Sequence, residues 1–151
     1  MTYQIDQSGK IEFTGHDTVV AISNGQQYTL LIPKKLKRQI QEVFRLHGLT
    51  NLFVYFLFTL GVYTVIKSDK ALREVTIDIE YPGKDKIIRS LLATFLDKPQ
   101  FSINFFRIGN RPRVHYAAKD VFDKKKKPNR VLTIADVVRV TKKTDGRLRE
   151  C

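Results

Sequence analysis

The chain has 151 residues, of which 42% are hydrophobic and 28% are charged. This length and balance are ordinary for one globular domain with a single core, and they exclude collagen-like, low-complexity and wholly disordered chains. Lysine and arginine number 27 against 15 aspartates and glutamates, so the formal net charge is +12. Such an excess favours a polyanionic partner, either nucleic acid or an acidic membrane surface.

Cysteine usage and the first residues give expectations about the compartment. The chain has one cysteine, Cys151, so neither an internal disulfide nor a cysteine-based zinc site is expected. The opening residues 1–6 show no basic region followed by an apolar stretch, so we expect no secretory signal and a reducing, cytoplasmic location. We expect a single domain over 1–143 and a flexible basic tail over 144–151.

Residues 2–8 alternate between apolar and polar side chains, and together with two further strand-like segments they predict an antiparallel meander in the first third of the chain. The three strands are expected over 2–8, 18–23 and 26–32. Ile11 to Phe13 can begin a short return strand after the Ser8-Gly9-Lys10 turn signal. Asn24-Gly25 is the strongest hairpin signal, because both residues tolerate positive φ.

Helical spacing begins at Pro33, and Gly48 ends the first helix. The next element, Leu52 to Ile66, is a run of 15 residues without a charge. A membrane-spanning helix needs about 20 apolar residues, so the run favours a buried core helix that begins after Asn51. A membrane-associated basic protein anchored through this run is a weaker alternative.

The second half of the chain alternates strands and helices. We expect strands over 74–81 and 102–108, helices over 86–96 and 114–122, and a solvated loop over 124–129. A last helix is expected to start at a capping box formed by Thr133 and Asp136 and to continue to about residue 142. A strand–helix–strand crossover makes parallel neighbours. The sequence therefore predicts an α/β fold with a five-stranded mixed sheet and helices on both faces.

Acidic residues on two of the predicted strands are the first candidates for chemistry. Asp6 is on the first strand, where aspartate is rare, and Asp78 and Glu80 share one face of the fourth strand. If these strands are neighbours, Asp6 and Asp78 converge, and paired carboxylates can hold two divalent cations. The alternative is a set of solvated acids on exposed strand ends.

The order of elements and the placement of the acids resemble the ribonuclease H-like superfamily of metal-dependent nucleases over residues 2–123. Asp78-Ile79-Glu80-Tyr81 is similar to the fourth-strand motif of ribonuclease H, in which an Asp is followed three residues later by a Tyr. The resemblance implies that Asp6 bridges two Mg²⁺ or Mn²⁺ ions and that Asp78 binds metal. Glu80 is a second candidate, because resolvases of the superfamily carry a Glu on this strand.

The last helix of the ribonuclease H-like part supplies the final metal ligand in this superfamily, which points to His115. Most members place Asp or Glu there, whereas Argonaute proteins and some resolvases use His. Lys119 shares the helix face of His115 and could contact a phosphate, and Asp120 is the alternative ligand. The first helix offers only Glu42 where ribonuclease H has a Glu, which moves the resemblance toward the resolvase and Argonaute PIWI branches.

Basic residues cluster at three places that could neutralise phosphates. They are Lys34, Lys35, Lys37 and Arg38 on the first helix, Arg107, Arg111 and Arg113 after the last strand, and the run Lys124, Lys125, Lys126 and Lys127. Four nearby aromatic residues could stack bases, namely Phe105, Phe106, Tyr116 and Phe122. The alternative for the lysine run is a solvated loop.

These residues predict a metal-dependent nuclease that hydrolyses phosphodiesters of RNA, a hybrid or a DNA junction through an Asp/Asp/His site. A basic nucleic-acid-binding protein without catalysis, on the same fold, is the alternative, and whether Asp6 and Asp78 meet in one cleft separates the two. Nucleic acid is the expected partner and no membrane contact is expected. Resolvase-like enzymes usually act as dimers, so the resemblance also implies a homodimer.

Overall fold

The computed structural model describes residues 3–24, 26–97, 100–108 and 113–144, and they form one mixed sheet with helices packed on it. The strands are β1 (Tyr3–Ser8), β2 (Thr18–Asn24), β3 (Gln26–Ile32), β4 (Glu74–Asp78), β5 (Ser102–Phe106) and β6 (Arg130–Val131). The helices are α1 (Lys34–Leu46), α2 (Phe53–Ile66), α3 (Asp85–Leu96), α4 (Arg113–Phe122) and α5 (Ile134–Thr144), with a 3₁₀ turn at Thr50–Leu52 before α2.

The sheet has the strand order β5-β4-β1-β2-β3-β6. The first three strands pair antiparallel and every other pair is parallel, so the mixed α/β sheet is confirmed. The prediction of five strands is wrong by one. β6 adds Arg130 and Val131 beside β3, and both residues are exposed, so they give no alternating pattern that would reveal a strand.

Successive residues of β2 point to opposite faces of the sheet and thereby define two layers of helices. Val20 and Ile22 belong to the large core formed with α1, α2, α3 and α5. Val19 and Ala21 belong to a smaller core on the other face, where α4 supplies the packing residues. The α4 face is the one on which Asp6 lies, because Asp6 pairs with Ala21 across the β1–β2 ladder.

Helix α2 is buried around nearly its whole circumference, which explains its lack of charge. Eleven of its residues are buried, including Gly61. A Cβ on Gly61 would lie 2.9 Å from Val20 Cγ2, so glycine lets this helix approach the sheet closely. The prediction of a core helix is confirmed, and no helix in the described part of the chain is long and apolar enough to cross a membrane.

Two predictions are wrong where the segment after β1 meets Lys37 of α1: the return strand at 11–13 and the phosphate contact of Lys37. Residues 11–13 form a turn, not a return strand, and Phe13 N donates to Lys10 O at 3.1 Å. This turn covers Lys37, whose side chain is fully buried, with Nζ donating to Lys10 O at 3.2 Å, Phe13 O at 2.8 Å and Thr18 Oγ1 at 2.9 Å. Lys37 is therefore not a phosphate contact, and burial lowers its pKa to about 8.

The capping box predicted for the last helix is confirmed. Thr133 N donates to Asp136 Oδ2 at 3.0 Å, and Asp136 N donates to Thr133 Oγ1 at 3.4 Å, directly before α5. Asp136 also accepts from Arg130, which ties β6 to the start of α5. The predicted hairpin residue Gly25, the loop 109–112 and the tail from residue 145 lie outside the described residues.

Candidate metal centre

Asp6 and Asp78 lie side by side on two neighbouring parallel strands, Asp6 two residues before the end of β1 and Asp78 at the end of β4. Ile5 pairs with Ile77 in the β1–β4 ladder, so the residue that follows each of them is an acid on the same face. The structure brings one carboxylate oxygen from each of Asp6, Asp78 and Glu80 within 4.8 Å of one another. We call these three residues the carboxylate cluster.

Glu80 reaches the carboxylate cluster from a bend, not from a strand. β4 ends at Asp78, three residues earlier than predicted, and its ladder closes with Ile79 N donating to Phe106 O at 3.1 Å. The bend is held by Tyr81, which is buried and whose hydroxyl donates to Glu12 Oε1 at 3.1 Å. Tyr81 therefore positions Glu80 by anchoring the next residue in the core.

Backbone and side-chain hydrogen bonds hold the carboxylate of Asp6, whose side chain is 4% exposed. Gln7 N donates to Asp6 Oδ1 at 2.8 Å, and His115 Nδ1 lies 3.3 Å from Asp6 Oδ2. Because a carboxylate accepts and does not donate, Nδ1 carries the proton in this pair. His115 thus orients Asp6, and Nε2 is the ring nitrogen that it could offer to a metal.

Asp78 is fixed from the neighbouring strand. Ile108 N, two residues beyond the end of β5, donates to Asp78 Oδ1 at 2.7 Å. A backbone donor aimed at one carboxylate oxygen orients the group, and the carboxylate keeps further acceptor sites. The cluster is therefore held by backbone groups of β1 and of the segment that directly follows β5.

Burial and mutual repulsion keep the carboxylate cluster from carrying three negative charges. Burial raises the pKa of Glu80 to about 9, and hydrogen bonds from its carboxyl to Asp6 and Asp78 add to this rise. Burial also raises the pKa of Asp6, and the charge of Asp78 acts in the same direction. Without a cation the cluster therefore holds a proton at neutral pH, and a divalent cation could replace that proton.

We expect Glu80→Gln to remove a pH dependence of stability in the presence of a chelator. The pKa of Glu80 is higher in the folded than in the unfolded chain, so its contribution is full at low pH and is lost as pH rises from about 4.5 to about 9. One pKa unit is worth about 1.4 kcal/mol, or about 3–6 °C in melting temperature for a chain of this size.

The melting temperature of Glu80→Gln should therefore exceed that of the wild type by at least about 3 °C at pH 8 and by less at pH 5. Glu42→Gln is the matched control, because Glu42 is exposed and paired with Arg45. Equal melting temperatures for Glu80→Gln and wild type at pH 8 would mean that Glu80 does not hold the extra proton.

Two other residues predicted for the site do not join the cluster. Lys119 is exposed, and its Nζ lies 2.6 Å from Asp123 Oδ2, so it pairs along α4 and not with a cluster residue. Asp120 is not among the acids that the structure brings together with Asp6 in the described part of the chain. Its carbonyl oxygen accepts from Lys125 N at 2.8 Å, which makes it part of the turn that ends α4.

Most of the predicted basic contacts lie on the surface. The exposed ones are Lys34, Lys35, Arg38, Arg107, Arg113, Lys124, Lys125, Lys126 and Lys127, whereas Arg111 lies outside the described residues. The lysine run and Lys34 line one open groove of about 520 Å³, which we call the basic groove. Sequence spacing did not reveal this groove, because the start of α1 and the end of α4 are about 90 residues apart along the chain.

The chain was compared with known protein families, curated proteins and solved structures. No family model, curated protein or solved structure matches the chain. The chemistry of the site is therefore argued from the carboxylate cluster, His115 and the charge of the surrounding surface.

Proposed function

We propose that the protein is a metal-dependent nuclease with a ribonuclease H-like fold. The observation that carries the proposal is the carboxylate cluster of Asp6, Asp78 and Glu80, formed directly after Ile5 and Ile77, the last paired residues of the parallel strands β1 and β4. Ligand sites of open α/β sheets lie outside the carboxyl ends of the strands, and three convergent acids are suited to Mg²⁺ or Mn²⁺. An antiparallel β1–β2–β3 unit followed by parallel β4 and β5 supports the resemblance to this superfamily.

The residues of the site fit a pair of divalent cations. Asp6 is the most buried of the three acids and contacts His115 as well as the other two carboxyls, so Asp6, Asp78 and Glu80 would hold the metal, with His115 as a further candidate ligand. Glu80 would release its proton on metal binding. Bound metal would supply an activated water and stabilise the leaving oxygen of a phosphodiester.

The positive surface supports nucleic acid as the substrate. The formal net charge is +12, and the basic groove gathers five lysines beside α4, the helix that carries His115. Exposed lysines in a groove attract a phosphate backbone by a term that does not depend on sequence. A binding protein without catalysis shares this observation, so the carboxylate cluster is what favours the enzyme.

Cleavage assays separate the two functions. The purified protein is incubated with single-stranded RNA, single-stranded DNA, a hybrid duplex and a four-way DNA junction, each with Mg²⁺, with Mn²⁺ and with a chelator. The proposal predicts that at least one substrate is cleaved with metal and that none is cleaved with the chelator. Binding without cleavage on every substrate would favour the binding protein.

We expect nucleic-acid affinity to fall steeply with salt and the basic groove to carry part of that dependence. Each neutralised phosphate contributes about −0.9 to the slope of log affinity against log salt for duplex DNA. Replacing Lys124 to Lys127 by serine should make the slope shallower by up to about that amount for each lysine that contacts a phosphate. Fluorescence anisotropy with a labelled duplex between low and moderate salt measures the slope.

The control for this experiment removes the same charge elsewhere. Replacing Lys67, Lys70, Lys84 and Lys86 by serine also lowers the net charge by four, but these residues lie outside the basic groove. For this control variant, the slope of log affinity against log salt should stay close to that of the wild type. Equal slopes for the two quadruple variants would contradict a role for the groove.

A further inference from the structure

Two exposed aromatic side chains flank the carboxylate cluster. Phe106 is 69% exposed and Tyr116 is 52% exposed. Phe106 is the register partner of Asp78 in the parallel β4–β5 ladder, so the two side chains lie next to each other on one face. Tyr116 follows His115 on α4, and the centroids of these two rings are 5.3 Å apart.

Among the described residues, the strand that carries Phe106 is exposed on this face. α4 packs against β1, β2 and β3. Farther along the same face, Ser102, Asn104 and Phe106 of β5 are exposed, while Phe105, on the opposite face, packs against the large core. The cluster therefore lies at the border between the part of the sheet that α4 covers and an open shelf that carries one large aromatic ring.

Each of the two rings has an exposed arginine close in sequence. Arg107 follows Phe106, and Arg113 precedes Tyr116 by three residues, a spacing that places both on the same side of α4. A ring that can stack and a guanidinium that can bind phosphate are the two groups that single-stranded nucleic acid requires. The same combination does not suit an apolar protein partner, because the rings are isolated among polar residues.

We propose that Phe106 and Tyr116 stack unpaired nucleobases on the two sides of the carboxylate cluster, so that the substrate is single-stranded or locally unpaired nucleic acid. This inference rests on the proposed nuclease function and names its substrate class. In a duplex both faces of each base are covered by neighbouring base pairs, whereas an unpaired base can turn one face to a protein ring. The phosphate between two stacked bases would then lie over the carboxylate cluster.

The chain contains no tryptophan, so single tryptophan variants report on stacking directly. Phe106→Trp and Tyr116→Trp each put a reporter at one ring position, and Leu46→Trp puts one at a site that is 68% exposed at the far end of α1. The probes are an oligothymidine of about 12 nucleotides and a blunt duplex of the same length. Both are titrated at low salt with a chelator, so that no cleavage occurs.

We expect the oligothymidine to quench at least about half of the emission of Phe106→Trp and Tyr116→Trp at saturation, because a stacked base quenches the indole. The duplex should quench both much less, and Leu46→Trp should not respond to either probe. Quenching by the duplex that equals quenching by the oligothymidine would overturn the proposal, as would the same response from Leu46→Trp.

Alanine variants give an independent readout of the same contacts. Phe106→Ala and Tyr116→Ala should each weaken oligothymidine binding by about tenfold without changing the salt slope, since no charge is removed. Unchanged affinity in both would overturn the inference while leaving metal-dependent cleavage, and so the proposed function, intact. Conversely, quenching together with no cleavage of any substrate would support base stacking and overturn the nuclease.

Discussion

Asp6→Asn and Asp78→Asn should each lower metal-dependent cleavage by at least about 10³-fold while the protein stays folded. Asparagine keeps the size of the side chain and its ability to accept from Gln7 N or Ile108 N, so the local hydrogen bonds can survive. It removes the negative charge that would hold a cation. Because the two acids form one cluster, the loss of either should be nearly as severe as the loss of both.

Thermal denaturation separates this effect from misfolding. Removing one of two repelling acids should leave the melting temperature without metal equal or higher. The rise in melting temperature that Mn²⁺ causes in the wild type should disappear in both variants, since that rise reflects binding to the folded state. Glu42→Gln, which breaks an exposed ion pair with Arg45, is the control and should keep both cleavage and the metal-induced rise.

Lys37→Ala should destabilise the protein by about 3 kcal/mol, which corresponds to about 6–12 °C in melting temperature. The substitution removes the donor for Lys10 O and Phe13 O and leaves a cavity under the turn that follows β1. Lys35→Ala is the matched control, because Lys35 is exposed on the same helix. It should change the melting temperature by less than about 2 °C.

The same pair of variants tests the correction to the predicted phosphate contacts. Lys37→Ala should leave the salt slope of nucleic-acid binding unchanged in protein that remains folded, because a buried ammonium group releases no counterion from DNA. A melting temperature for Lys37→Ala as high as that of Lys35→Ala would contradict the buried position of Lys37.

Most of the helices and strands could be predicted from the pattern of hydrophobic residues. The uncharged run that forms α2 and the apolar segments that form β2 and β3 on either side of the Asn24-Gly25 turn signal could be read from the sequence, because burial in the core dictates them. β6 escaped prediction because its two residues pair at an edge without being buried. The turn at 11–13 was not predicted because its apolar residue Ile11 is buried in the large core, as a strand residue would be, although it lies in a turn.

Some features of the candidate site could likewise be predicted from the sequence, and others could not. The sequence predicted that Asp6 and Asp78 converge if the first and fourth strands are neighbours, and the parallel β1–β4 ladder meets that condition. It put Glu80 on a strand, whereas the bend anchored by Tyr81 carries it. It did not show that His115 orients Asp6, since a contact between residues 109 positions apart depends on how α4 lies across the sheet.

Lysine residues illustrate what charge patterning leaves open. Lys34, Lys35 and Lys37 are equivalent as letters, and helical spacing puts each within about one turn of the others. The structure buries Lys37, because three oxygen acceptors of the segment 10–18 surround its amino group. Backbone carbonyls of a loop determine which of these lysines is buried. The positions of these carbonyls cannot be predicted from the residue types.

A crystal structure of the protein soaked in Mn²⁺ and recorded at a wavelength where manganese scatters anomalously tests the central claim most directly. The account predicts two anomalous peaks about 4 Å apart, with a carboxylate oxygen of Asp6 bridging them and with Asp78 and Glu80 as further ligands. It also predicts that the same soak of Asp6→Asn crystals leaves both positions without a peak. An anomalous map of the wild type with no peak at the carboxylate cluster would contradict the account.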